Sequence, residues 1–178
     1  MIKAIELYFD RAADQAVRHL WDQLARAGIS NSMDGIGTVP HLSLVVTDNL
    51  PTAEVTPHLQ ELTRSVAPPT IALTHLGIFA SGAIFLGVNA SAALIEVHRR
   101  VTTAIQPIAQ GGDSYHLPGA WVPHCTLAFG VAAVDLGPAA VACLPHQRPV
   151  HASITSIGLV EVGAAKVSKV SRYQWNHV

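Results

Sequence analysis

The chain has 178 residues, of which 49% are hydrophobic and only 13% are charged. This length fits one domain, or two small lobes sharing a core, and it is enough to bury a substantial interior. With 11 basic and 12 acidic side chains the formal charge is −1, whereas proteins that grip long nucleic acids usually carry a basic surplus. A long nucleic-acid ligand is therefore not expected, and any nucleic-acid ligand should be short or held locally.

The mean hydropathy of +0.33 raises the question of membrane insertion. The longest uncharged stretches, 65–95 and 114–134, are interrupted by polar residues, glycine or proline and offer no run of about 20 apolar residues. The first ten residues alternate in polarity and contain Glu6, unlike a signal peptide. Cys125 and Cys143 are too few for a disulfide framework. We expect a monomeric, cytoplasmic protein that does not contact membranes.

The beginning of the chain predicts a strand, a helix and a second strand. Residues 2–9 place alternate side chains on opposite faces, so that Tyr8 and Phe9 point one toward a cleft and the other toward the core. Asp10 can cap a helix that runs to about Ala27. The buried face of this helix is expected to consist of apolar residues at helical spacing: Ala13, Val17, Leu20, Trp21 and Leu24. A turn-rich link at 35–40 leads to a strand at 41–46.

The remainder predicts further strands with helices packed against them. In a helix between residues 52 and 66, Pro57 indicates that the regular part starts at a Thr56 cap. The next expected elements are strands at 70–79 and 83–88, a helix at 91–105, a loop at 110–119 and a strand at 122–129. Residues 136–144 suit either a short helix or a strand, and strands at 150–162 and 165–175 follow. His19, His58 and His98 lie on predicted helices, where surface or boundary positions are expected, and helical spacing puts His98 on or near the buried side of the helix at 91–105.

One pattern occurs twice: proline, histidine, any residue, a hydroxyl residue and leucine, at 40–44 and at 123–127. Each copy lies on a strand that follows a strand and a helix, which indicates one duplication giving two similar lobes. Because strand side chains alternate, His41 and Ser43 share one face of their strand, and so do His124 and Thr126. If a pseudo-two-fold axis relates the lobes, two imidazoles and two hydroxyls converge on one cleft.

These groups suit a phosphodiester. Ser43 and Thr126 can donate hydrogen bonds to the non-bridging phosphate oxygens. One histidine can take a proton from water while the other protonates the leaving oxygen, because an imidazole pKa of about 6.5 populates both forms near neutrality. The sequence does not assign these two roles between His41 and His124. The chemistry requires no metal or other cofactor, and the sequence lacks the ligand spacings typical of zinc sites.

The segments His41-Leu42-Ser43-Leu44 and His124-Cys125-Thr126-Leu127, with the opening strand and helix, resemble the two-histidine (2H) phosphoesterase superfamily. This superfamily includes 2′-5′ RNA ligase-like and 2′,3′-cyclic phosphodiesterase proteins, and the resemblance covers nearly the whole chain. It implies an α+β, bilobal fold in which two antiparallel β-sheets form a central cleft and helices pack outside. It also implies a metal-independent cyclic phosphodiesterase whose substrate is a nucleotide with a cyclic phosphate or a short RNA end.

Other interpretations stay open at this level. The same cleft could bind a nucleotide or phosphorylated ligand without turnover, or it could join 2′-5′ RNA ends, which the lack of a basic surplus disfavours. Tyr115 and Trp121 flank the loop before the second motif and could stack on a base, although anchoring of the loop is the simpler interpretation. Lys166, Lys169 and Arg172 form a solvated edge unless one of them reaches the cleft, where it would stabilise phosphate charge.

Overall fold

Seven strands and four helices form the fold in the computed structural model, which describes residues 2–29, 33–112, 114–163 and 166–175. The strands are β1 (Ile2–Phe9), β2 (His41–Thr47), β3 (Thr70–Ile78), β4 (Ile84–Asn89), β5 (His124–Ala128), β6 (Val150–Val162) and β7 (Val167–Gln174). The helices are α1 (Arg11–Arg26), α2 (Thr52–Ser65), α3 (Ala92–Ile105) and α4 (Leu136–Cys143). The predicted element order is confirmed. Residue 165, where the last strand was expected to begin, and residue 113 of the predicted loop lie outside the described residues.

The described strands all pair antiparallel, and β6 joins two halves of the sheet. In the first lobe, β2 pairs with β1, β1 with the C-terminal part of β6, and β6 with β7. In the second lobe, β5 pairs with β4, β4 with β3, and β3 with the first residues of β6. The order β2-β1-β6-β3-β4-β5 leaves the two motif strands at its ends, and the sheet curls until β2 and β5 lie beside one another.

The helices pack on the convex side of the sheet, and α1 and α3 each cross to the opposite lobe. The helix α1 leaves β1 under an Asp10 cap, whose carboxylate accepts the Ala13 backbone N–H at 3.0 Å. It then packs against β5 and β6, whereas α3, which connects β4 to β5, packs against β2. Each motif strand is therefore held from behind by a helix of the other strand–helix–strand unit.

The structure corrects one expectation about the helices and decides another that the sequence left open. The prediction that the regular part of α2 starts at Thr56 is wrong, because the helix begins at Thr52 and contains Pro57. Val55 and Leu59 are almost fully buried on either side of Pro57, so their packing outweighs the backbone hydrogen bond that proline cannot make. The segment at 136–144, whose sequence suited either a short helix or a strand, forms the helix α4. In the described part of the chain, no helix has the length and apolar character needed to cross a bilayer.

Candidate active site

The two motif histidines adopt the same local geometry. The Nδ1 atom of His41 lies 2.7 Å from the carbonyl oxygen of Val39, and Nδ1 of His124 lies 2.7 Å from the carbonyl oxygen of Val122. Because a carbonyl oxygen can only accept, each Nδ1 carries a hydrogen and donates it. In both rings Nε2 remains as the nitrogen that a ligand could use. The rings face each other closely enough that the charge of His41 contributes to a lowered pKa of His124.

The two motif hydroxyls also occupy matching, half-buried positions. The strand register places Ser43 opposite Glu6 of β1, and Thr126 opposite Phe85 of β4. Neither hydroxyl has a hydrogen-bond partner among the residues that the structure describes. The structure therefore brings His41, Ser43, His124 and Thr126 together, and it leaves both hydroxyls able to donate to an anion in the cleft.

A tryptophan from the opposite unit contacts each motif strand. The indole N–H of Trp21, on α1, donates to the carbonyl oxygen of Thr126 at 3.2 Å. The indole N–H of Trp121, just before β5, donates to the carbonyl oxygen of Ser43 at 3.0 Å. Since β2 and β5 end the sheet, carbonyl groups on their outer edges need donors from elsewhere. The reciprocal bonds fix the two hydroxyl-bearing residues relative to one another.

Trp121 also anchors the loop before the second motif. Its ring stacks on His98 of α3 with centroids 4.0 Å apart and planes within 4°. The His98 Nε2–H in turn donates to the carbonyl oxygen of His116 at 2.9 Å. His98 is only 2% exposed, which agrees with its helical spacing on the buried side of α3 and not with a surface position, and this burial lowers its pKa. These contacts favour the anchoring interpretation for one face of Trp121.

A pocket of about 330 Å³ opens beside His124. Its walls include Phe79, Tyr115, Trp121 and Val122, so that most of the lining is apolar or aromatic. Tyr115 is 75% exposed and therefore presents its ring to solvent at the pocket entrance. A pocket of this size and composition can hold one planar ring system. Both predicted stacking residues thus border the same space, next to one of the two imidazoles.

The second lobe surrounds His124 with aromatic rings. Phe79 meets the imidazole edge-on with centroids 4.9 Å apart, and Phe85 lies 5.1 Å away at a tilt of 60°. Burial is the main cause of the lowered His124 pKa, and the charges of His116 and His41 act in the same direction. His124 is therefore held in the neutral form, with a hydrogen on Nδ1 and a lone pair on Nε2.

Gly87 lies opposite His124 on β4 and leaves room for a neighbouring side chain. The ring of His75, from β3, occupies the space that a Cβ at position 87 would need. His75 is exposed and contacts the Thr74 hydroxyl through Nδ1 at 3.1 Å. This histidine therefore extends the concave face of the second lobe beyond His124.

The first lobe surrounds His41 with polar groups that the motif analysis did not identify. Glu6 is only 3% exposed, and its Oε1 atom lies 3.4 Å from Nε2 of His41. The Tyr8 hydroxyl donates to Oε2 of Glu6 at 2.9 Å. Burial, followed by the negative charge of Glu6, raises the pKa of Tyr8, so that the phenol keeps its hydrogen. The available signal in the sequence was a carboxylate on the same strand face as Tyr8.

Arg172 completes this polar face. Its guanidinium lies over the Tyr8 ring, 4.0 Å from the centroid, and its Nε–H donates to the Ser156 hydroxyl at 2.7 Å. Of the late cations, Arg172 thus packs against the polar face beside His41, whereas Lys166 and Lys169 are exposed. Tyr8 faces the cleft beneath Arg172 and Phe9 joins the hydrophobic core, as the alternation predicted.

The motif cysteine lies on the other side of the strand. Cys125 is 1% exposed, and burial raises the pKa of its thiol to about 12. A thiol in this state is a poor nucleophile near neutral pH. Among the described residues, no three histidine, cysteine, aspartate or glutamate side chains are grouped as a metal site would need.

Comparison with known proteins assigns the chain to a family. Residues 10–165 match the model of the 2′-5′ RNA ligase superfamily, and the chain belongs to that superfamily. No curated protein matched the chain. The 2H phosphoesterase resemblance stated from the two motifs is confirmed.

Solved structures share the fold at low sequence identity. TT0787 of Thermus thermophilus aligns with a TM-score of 0.63 and 17% identity over 98% of each chain. Escherichia coli LigT complexed with 3′-AMP aligns with a TM-score of 0.59 and 15% identity, over 98% of this chain and 97% of LigT. The MHV ns2 PDE domain aligns with a TM-score of 0.60 and 17% identity, over 91% of this chain and all of that domain. At these identities the likeness establishes the fold alone, and it confirms the expected α+β fold of antiparallel strands with helices packed outside.

Proposed function

We propose that this protein is a metal-independent phosphoesterase that opens 2′,3′-cyclic or related phosphodiesters of nucleotides or RNA ends. The observation that carries the proposal is the matched pair of strands, each offering an imidazole Nε2 and a hydroxyl without an internal partner to one cleft. Membership of the 2′-5′ RNA ligase superfamily supports it. The finer assignment to cyclic phosphates is the part that needs an experiment.

In the proposed reaction Ser43 and Thr126 donate to the non-bridging oxygens of the cyclic phosphate. One Nε2 takes a proton from water as the water oxygen bonds to phosphorus. The bond from phosphorus to the ribose oxygen breaks, and the Nε2–H of the other histidine protonates that oxygen. The Nδ1–H bonds to Val39 and Val122 keep both Nε2 atoms directed at the phosphate throughout.

The pocket beside His124 is the proposed place for the nucleoside. Tyr115 and the uncovered part of Trp121 offer aromatic surface to a base. Stacking tolerates every base, because each has a π-face, so we expect only a modest base preference. Solved complexes of LigT with 3′-AMP and with ATP are consistent with a ligand of this size. The balanced charge of the chain favours a nucleotide or a short RNA end over long RNA.

A second candidate is nucleotide binding without turnover, which the nucleotide complexes of LigT also favour. It uses the same pocket and the same hydroxyls, but it requires no transfer of protons. The two candidates differ in whether incubation yields a product. For either one, two buried and unpaired thiols suit a reducing, cytoplasmic compartment.

The experiment is hydrolysis of a panel of 2′,3′-cyclic nucleoside monophosphates in the presence of EDTA. Wild-type protein is compared with His41→Ala/His124→Ala and with His58→Ala, which removes an exposed histidine of α2. We expect turnover by the wild type and by His58→Ala but not by the double variant. Binding of 3′-AMP without turnover would favour the second candidate, and absence of both would overturn the proposal.

A further inference from the structure

The surroundings of His41 determine where its protons lie. The charged and titratable groups around it are Glu6 and Tyr8 on β1, Arg172 on β7 above Tyr8, and His124 with Cys125 on β5. Of these, Glu6 is the acidic group, and Oε1 is its oxygen nearest Nε2 of His41, at 3.4 Å. The other oxygen of Glu6 already accepts the Tyr8 hydroxyl. A hydrogen on Nε2 of His41 therefore faces an acceptor in Oε1, whereas a lone pair on Nε2 would face the lone pairs of a carboxylate oxygen in a buried site.

That proton makes His41 a donor. Its Nδ1 already donates to Val39, so a hydrogen on Nε2, opposite the Glu6 carboxylate, makes both ring nitrogens donors. The separation of 3.4 Å is longer than a strong hydrogen bond. The Nε2–H is consequently not locked to Glu6 and can turn to an oxygen of a bound substrate.

His124 has the opposite environment. Its neighbours are Phe79 and Phe85, and no carboxylate lies within ion-pair distance of it among the described residues. The positive charges of His41 and His116 further disfavour a proton on its Nε2. Its Nε2 lone pair is thus free to accept a proton from water.

We propose that Glu6 is the positioning residue that orders the two histidines, keeping His41 as the proton donor and leaving His124 as the base. This rests on the proposed function. His124 Nε2 removes the proton of the attacking water, the phosphorus–ribose oxygen bond breaks, and His41 Nε2–H protonates the departing oxygen. Exchange with solvent then returns one proton to His41 and removes one from His124, and the two environments favour both steps.

The geometry argues against Glu6 as the supporting carboxylate of a histidine base. Such a carboxylate orients a base through the nitrogen opposite the reacting one. Here Nδ1 of His41 is bonded to a backbone carbonyl, and Glu6 approaches the nitrogen that faces the cleft. A carboxylate in this place competes with water for Nε2 and hinders proton abstraction by His41.

The first test is a pH titration of the ring nitrogens by ¹⁵N NMR on the free wild-type protein. We expect His41 to keep both ring hydrogens to higher pH than His124, which should be neutral with a hydrogen on Nδ1. The reverse order would overturn the proposal. This readout requires no substrate, so it stands whether or not cyclic phosphates are turned over.

The second test is the variant Glu6→Gln. Gln has the same shape, can still accept from Tyr8, and can donate an amide N–H to a neutral His41 Nε2. We expect the alkaline limb of kcat/KM, which loss of the Nε2 hydrogen of His41 sets, to move to lower pH, while the acid limb set by His124 stays. The control is Glu161→Gln, which removes a partly exposed carboxylate of the same sheet that pairs with Lys3 at 3.4 Å.

The outcomes separate the two proposals. Movement of the His41 titration in Glu6→Gln alone supports the role of Glu6 even if no cyclic phosphate is hydrolysed, in which case only the proposed function fails. An unchanged His41 titration and an unchanged rate profile in Glu6→Gln would overturn the role of Glu6 while leaving the two-histidine reaction intact. If Glu6→Gln does not fold, the wild-type titration alone decides.

Discussion

The two lobes carry the same motif, but the residues on the strand next to the motif differ between them. On the first lobe, the strand beside His41 contributes Glu6 and Tyr8, with Arg172 above them. On the second lobe, the corresponding positions beside His124 are Phe85 and Gly87. The motif strands keep the same hydrogen bond at Nδ1 in both lobes. The chemical difference between the imidazoles therefore arises from the strand next to each motif.

Under the proposed function, this difference lets two similar motif strands take different parts in one reaction. Two identical imidazoles would share protons equally, and half of the molecules would hold the wrong pair of protonation states. A carboxylate lies beside His41, whereas aromatic rings lie beside His124, whose pKa is lowered mainly by burial. The residues that differ lie on β1 and β4, so both motif hydroxyls, the proposed phosphate donors, are present in the two lobes.

The largest effect is expected from removal of either motif histidine. We expect His41→Ala and His124→Ala each to lower kcat/KM by about 10²–10⁴-fold, the usual contribution of one acid or base. The comparison is sharpened by the pH profiles: His124→Ala should lose the acid limb, and His41→Ala should lose the alkaline limb. Rate measurements from pH 5 to 9 check this, with circular dichroism to verify the fold and His58→Ala as the control. Activity near the wild-type level in either variant would contradict the shared site.

Removal of a motif hydroxyl should have a smaller and more symmetrical effect. Ser43→Ala and Thr126→Val each delete one donor to a charged phosphate, which is worth about 1.5–3 kcal/mol. We expect kcat/KM to fall by roughly 10–100-fold in each, to a similar extent in the two lobes. Ser168→Ala, an exposed position of β7, is the control. A strong effect in one lobe and none in the other would show that the phosphate is held from one side only.

The reciprocal tryptophans allow a test of stability in the same comparison. Trp21→Phe and Trp121→Phe each leave a carbonyl of the opposite motif strand without its indole donor, at a cost of about 1–3 kcal/mol of unfolding free energy. Trp21 is 1% exposed, whereas Trp121 is half-buried and borders the pocket, so Trp21→Phe should be the more destabilising. Urea unfolding measures both. A larger loss for Trp121→Phe would mean that its stack on His98 outweighs the burial of Trp21.

The sequence predicted the features that depend on local patterns. The motif positions follow from the two-residue period of a strand, which places His41 with Ser43 and His124 with Thr126 on common faces without knowledge of the fold. The same alternation placed Cys125 away from the cleft, where it lies fully buried. The α1 face could be derived because its apolar residues repeat at helical spacing.

The features that depend on strand register and on partners distant in the sequence could not be predicted. The approach of Glu6 to His41 needs the β1–β2 register, which pairs Tyr8 with His41 and contains an irregularity between Ile5 and Glu6. No local pattern specifies that register, because it is fixed by packing of the whole sheet. Helical spacing could place His98 on or near the buried side of its helix, but its stacking partner Trp121 comes from another part of the chain and could not be predicted.

The smallest expected effect concerns the pH dependence of stability. His98 and His124 both have a lowered pKa in the folded protein, mainly because they are buried. Below the unfolded-state pKa of about 6.5, the unfolded chain therefore binds more protons than the folded one at these sites. Their contribution to the unfolding free energy is complete above that pH and declines as the pH falls.

Urea unfolding at pH 7.5 and pH 5.5 measures this decline in the unfolding free energy. The variants His98→Phe and His58→Ala show how much of the decline arises from His98. His98→Phe should make the decline shallower, because a titrating ring that is buried only in the folded state has been replaced by one that does not titrate. His58→Ala should leave the decline unchanged, since His58 is exposed. An equal decline in wild type and His98→Phe would locate the effect elsewhere and leave His124, on the aromatic side of the cleft, as the histidine to examine next.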